Sequence, residues 1–142
     1  MNDLNLLDFY RDAAHVLTRL YIHFPRKMDI CVEDMIGTDQ VDDFGLHSKR
    51  HEAAFGALLW LADEGYLRFN NTIRQEAIDQ AILSQKGLLM LGKVNYPPTT
   101  NDTDETAVLT TAEYMQKALR SHSSTQLSFI MQHFFNESTG DS

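Results

Sequence analysis

The sequence predicts a mainly α fold with a small amount of β-structure and a helical C-terminal arm, and three observations predict it. Apolar residues recur three or four apart over 3–24, over a run opening at Ser48 and over 127–135, the period of a helix with one buried face. Short branched and aromatic stretches at 28–32 and 66–69 read as strands. The stretch from Pro97 to Thr106 is polar, acidic and nearly free of apolar groups, so it separates a domain from an arm. The expected layout is a domain over 1–92, a flexible linker over 93–109 and a helical arm over 110–136 that either packs on its own chain or oligomerises.

The elements follow in order. Leu7, Tyr10, Ala14, Leu17 and Tyr21 mark a first helix that Pro25 ends, because the residue before a proline is pushed out of the helical region and the ring carries no amide donor. A short strand at 28–32 leads into one or two helical turns closed by Gly37. The acidic stretch 38–46 is a loop. Ser48 is the N-cap of a helix with Ala54, Phe55, Leu58, Leu59, Leu61 and Ala62 in its apolar stripe and Trp60 on an adjoining face; Asp63-Glu64-Gly65 ends it. A strand at 66–69 and a turn at Asn70-Asn71 come next.

Residues 73–83 read two ways. Thr72 and Gln75 form a capping box for a helix holding Ile73, Ala77, Ile78, Ala81 and Ile82, whereas Ile78, Gln80 and Ile82 share one face of a strand; periodicity by itself leans to the helix. Ser84 caps a further short helix with Leu88, Leu89 and Leu91. Beyond the linker, Thr110 with Glu113 and Ser123 with Gln126 are capping boxes for two last helices. In the second, Leu127, Ile130, Met131, Phe134 and Phe135 fall at i, i+3, i+4, i+7 and i+8.

Composition narrows the function classes. The chain has 142 residues, 43% of them apolar, which suits one domain with a core. Apolar runs such as 58–61 and 88–91 fall far short of the roughly 20 residues that span a bilayer, and no basic patch followed by an apolar block opens the chain, so a cytoplasmic protein without a membrane partner is expected. Cys31 is the one cysteine, which excludes an intrachain disulfide and a thiolate zinc site. The formal charge of −8 disfavours indiscriminate binding to nucleic acid.

Two local strings carry a resemblance. Leu58-Leu59-Trp60-Leu61-Ala62-Asp63-Glu64-Gly65-Tyr66-Leu67 is similar to the end of a recognition helix running into the first wing strand of winged helix-turn-helix proteins. Ala81-Ile82-Leu83-Ser84-Gln85-Lys86-Gly87 resembles their second wing strand entering the last helix. Together with the order helix, strand, helix, helix, hairpin, helix over 3–92, they make the chain look like a regulator of that family. The resemblance implies a wing strand within 73–83, and dimerisation through terminal helices is frequent among such proteins. The acidic loop departs from the tight turn usual between the second and third helices.

On that resemblance, duplex DNA would be read by the first turns of the third helix and touched by the wing, which selects Lys49, Arg50 and His51 with Arg68 and Arg74. Lys49 and Arg50 oppose the helix macrodipole where they stand; an anion partner would explain them, and so would screening by water with Glu52, Asp42 and Asp43 nearby. Through Gly92 there are nine Lys and Arg against fourteen Asp and Glu. Six of those acids, Asp29, Glu33, Asp34, Asp39, Asp42 and Asp43, crowd the second helix and its loop, where they would repel phosphate or face a protein. His47 and His51 have metal-pair spacing but lack the glutamate of a helical zinc motif, so no metal and no cofactor is expected. No nucleophile, base and anion-hole set can be named, so an enzyme is not expected.

Two functions therefore stand. One is a small winged-helix DNA-binding or regulatory protein. The other is a protein-interaction adaptor that uses the acidic surface and the stripe Leu127, Ile130, Met131, Phe134 and Phe135. A homo-oligomer is expected in either case.

Overall fold

Val16, Leu17 and Leu20 are fully buried on the long first helix, α1 (Leu4–His23), and the rest of the chain is assembled around them. The computed structural model describes residues 4–37, 46–95 and 109–140. Its elements continue as β1 (Met28–Cys31), α2 (Val32–Ile36), α3 (Lys49–Asp63), β2 (Leu67–Arg68), β3 (Thr72–Ile73), β4 (Ala77–Leu83), α4 (Gln85–Leu91), β5 (Val94–Asn95), β6 (Leu109–Thr110), α5 (Thr111–Ser121) and α6 (Ser124–Gly140). The molecule is mostly helical with a small antiparallel sheet, as its periodicity predicts.

Local chemistry sets most boundaries. Ser48 Oγ accepts from His51 N–H at 3.1 Å and Ser84 Oγ from Gly87 N–H at 3.0 Å. Thr110 and Glu113 close a complete capping box, and Ser123 Oγ accepts from Gln126 N–H at 3.1 Å. Gly65, at φ 89°, turns the chain out of α3 into the sheet. Gly87 is required for a different reason: a Cβ there would collide with the carbonyl oxygen of Tyr66.

β4 is the central strand. It pairs antiparallel with β1 on one side and with β2 and β3 on the other, in register Ile30↔Ile78, Leu67↔Leu83 and Thr72↔Ile78. Residues 72–83 are thus strand, turn and strand, not the helix that periodicity favours. The cause is a bulge. Gln80 adopts φ 52°, the register with β1 slips there, and Asp29 Oδ1 accepts the Gln80 N–H at 3.1 Å. The extra residue breaks strand alternation, so the buried positions Ala77, Ile78 and Ala81 imitate helical spacing.

α5 and α6 pack on their own chain, one of the two courses expected of the arm. Met115, Ala118, Leu127, Ile130, Met131 and Phe134 belong to the same buried cluster as Leu17 and Leu58. The expected linker begins and ends in paired strand, with Val94 opposite Thr110 and Asn95 opposite Leu109; 96–108 lie outside the described residues. So do Asp39, Asp42 and Asp43 of the acidic loop.

Candidate functional site

The first turn of α3 was the expected reading surface, and its side chains go in three directions. Lys49 is exposed. Arg50 turns back onto α1: Nη1 donates to Asp12 Oδ2 at 2.8 Å, Nη2 to Asp12 Oδ1 at 2.6 Å, and Nε lies 3.7 Å from Asp8 Oδ2. Asp12 is 1% exposed, and a carboxylate so deep in a helix interface needs a forked cation to hold it. The hydrogen bonds to Asp12 push the Arg50 guanidinium above its usual range. Arg50 is a clamp between α1 and α3, which corrects its expected place among DNA-facing residues.

His51 also leaves that set. It is 3% exposed, and its Nε2–H donates to the Gln75 carbonyl oxygen at 3.0 Å, fastening α3 to the β3–β4 turn. The His47 ring lies flat on it, with centroids 3.7 Å apart and planes 5° from parallel, while His47 Nε2 is 3.3 Å from Glu76 Oε2. The i, i+4 spacing that suggests a shared metal produces a ring stack here. Among the described residues no group of three or more His, Cys, Asp and Glu is arranged to hold an ion.

Arg68 and Arg74 remain exposed on the hairpin. Arg74 and Gln75 occupy the two centre positions of the turn closed by Glu76 N–H to Ile73 O, both left-handed at φ 52° and 60°. That turn geometry favours Asn and Gly, so it is strained with these residues.

Behind the turn, Cys31, Glu33, His47, His51, Ile73, Glu76 and Ala77 line an open pocket of about 380 Å³. Burial, then Asp34, Asp29 and Glu33, push the Cys31 thiol up, which keeps it protonated and a poor nucleophile.

The C-terminal stripe is placed differently from the expected docking surface. Leu127, Ile130, Met131 and Phe134 are all at most 3% exposed, covered by their own chain. Phe135 is half-buried in an aromatic cluster, its ring 5.7 Å from Phe9, 5.6 Å from Trp60 and 5.5 Å from Tyr66. That assignment is corrected: the stripe is core.

What the sequence reading missed is the outer face of α3. Lys49, Ala53, Gly56, Trp60 and Asp63 succeed one another four and three residues apart, so they share one helix face, and all five are exposed. Phe9, Gly56, Ala57 and Trp60 line an open hollow of about 310 Å³ on it, and Leu6, three residues before Phe9, is 46% exposed. The signal was present in Trp60, set apart from the main apolar stripe of its helix.

Comparison with family models, with curated proteins and with solved structures finds no match to this chain. Among the described residues no helix is long and apolar enough to cross a membrane.

Proposed function

We propose that this chain is a winged-helix module whose third helix faces protein and not DNA. The observation that carries the reading is the makeup of α3: of the expected first-turn set Arg50 and His51 are engaged inside the molecule and Lys49 alone faces outwards, and the outward positions that follow it are Ala53, Gly56 and Trp60. A groove-reading helix needs hydrogen-bonding side chains at such positions, whereas an aromatic residue beside a hollow is what protein interfaces use as an anchor. The element order and the pairing of β1 and β2 on either side of β4 support the winged-helix assignment. The net charge of −8 works in the same direction, since phosphate contact is the main source of non-specific affinity.

The test is a titration of a mixed duplex pool at low salt, read by fluorescence anisotropy. No saturable binding is expected. Salt-sensitive binding that falls on replacing Arg68 and Arg74 with alanine would instead establish a DNA-binding regulator working through its wing. That second reading draws on one specific feature, the exposed Arg74 at the tip of a left-handed turn.

A further inference from the structure

We infer that the partner of the outer face of α3 is a second copy of this chain, docked with the two α3 helices antiparallel and crossing at Gly56. The inference rests on the protein-interaction reading and names its occupant.

α3 carries charges that oppose its dipole at both ends, Lys49 and Arg50 beside the favourable Glu52 in the first turn, and Asp63 and Glu64 at the C-terminus, where the Lys86 ammonium donates to the Glu64 carbonyl oxygen at 3.0 Å. Arg50 is answered internally by Asp12 and Asp8, and Asp8 is also held by Arg11. Among the described residues Lys49 and Asp63 enter no ion pair. An antiparallel copy sets Lys49 of each chain beside Asp63 of the other. One two-fold axis gives both Lys49 and Asp63 an ion-pair partner.

Gly56 is the central residue of Lys49–Asp63, so pairing Lys49 with Asp63 in both directions places Gly56 against its own copy. This is where two helices cross most closely, and a residue without a side chain permits it. Nothing lies within 4 Å of a Cβ built at Gly56, so the chain's own packing does not account for the glycine, which weakens an isolated helix. Trp60, 41% exposed, stands one turn from the crossing, where the antiparallel copy sets it against Glu52 and Ala53 of the other chain. A single helix-on-helix contact belongs with the weak interfaces, here set at an association on the order of 1–100 μM.

The experiment is sedimentation velocity on the full chain from about 1 to about 200 μM, a range chosen to bracket that affinity. The mass is expected to move from one 16.2 kDa chain towards two as concentration rises. Gly56→Arg points into open space in the single chain and pairs with Glu52 one turn back, so it folds, but its bulk and charge meet their copy at the axis; association should weaken at least about tenfold. Lys49→Glu and Asp63→Lys each improve the fit of α3 to its own dipole, so each should melt no lower than the parent. Each should nevertheless weaken association about fivefold, and the double variant should return to within about twofold of the parent.

A dimer indifferent to Gly56→Arg, or a double variant that fails to recover, overturns the proposal and shows association through another face. A mass fixed at one chain overturns it as well. If that monomer also fails to bind duplex DNA, the interaction reading stands with a different partner; if it binds, both fall.

Discussion

Two apolar faces of this protein make opposite use of similar material. On α6, Leu127, Ile130, Met131 and Phe134 are covered by their own chain; on α3, Ala53, Gly56 and Trp60 look outwards beside a hollow. The difference teaches that a helical stripe states that a face needs covering, but not what covers it. α6 reaches α1 because β5 and β6 pair and return the chain to the core, whereas α6 meets the outward face of α3 at one edge, with Phe135 5.6 Å from Trp60, and leaves Trp60 41% exposed.

The covered face should respond most strongly to truncation. Phe134→Ala removes a ring that is 2% exposed and leaves a cavity among Tyr66 and the α6 stripe, so it should lower stability by about 3–5 kcal/mol in urea unfolding. A loss under about 1 kcal/mol would mean that the α6 contact is loose.

The two glycines sharpen the contrast. Gly87→Ala drives a methyl group into the Tyr66 carbonyl, which is backbone and cannot swing aside, and should lower stability by about 2–3 kcal/mol. Gly56→Ala meets nothing and gains helix propensity, so at dilute concentration it should raise stability by up to about 1 kcal/mol. Between them in size is Asp12→Asn, which removes the charge that Arg50 grips. Because the Arg50 side chain is 33% exposed and water can take over part of its solvation, the loss should be about 1–2 kcal/mol, read as a shift of the urea midpoint.

The smallest effect is a pH dependence at the edge of the covered face, where His15 adjoins α5 and α6. Burial holds its pKa below the ordinary value, with Arg11 and Arg19 acting in the same direction and Asp12 against it. The unfolded chain therefore binds more protons than the folded one just below about pH 6.5, and stability declines as pH falls through that region towards the folded pKa. Urea midpoints between about pH 5.5 and 7.5 should show this slope, and His15→Gln should flatten it. A slope unchanged in that variant would assign the dependence to another group.

Much of the fold was legible because helix ends are local. Ser48, Ser84, Thr110 with Glu113 and Ser123 all cap where their spacing says, and Pro25 and Gly65 stop the chain where their backbone restrictions require. Residues 72–83 were not legible from periodicity, since the bulge at Gln80 gives a strand the spacing of a helix; the winged-helix resemblance pointed to strand, and β1 and β2 hold it there. The candidate site was legible only in part. Arg68 and Arg74 lie exposed on the hairpin, but Arg50 and His51 find their partners 38 and 24 residues away.

By itself the sequence determined where helices begin and end, that three helical faces must be covered and that the chain is acidic, because capping, proline and glycine geometry and periodicity act within a few residues. Only the tertiary structure decided that the α6 stripe is core, that Arg50 and His51 serve the fold, and that Trp60 beside Gly56 is left facing outwards. Those outcomes depend on which distant elements meet, and burial and charge pairing are settled by neighbours in space, not in sequence.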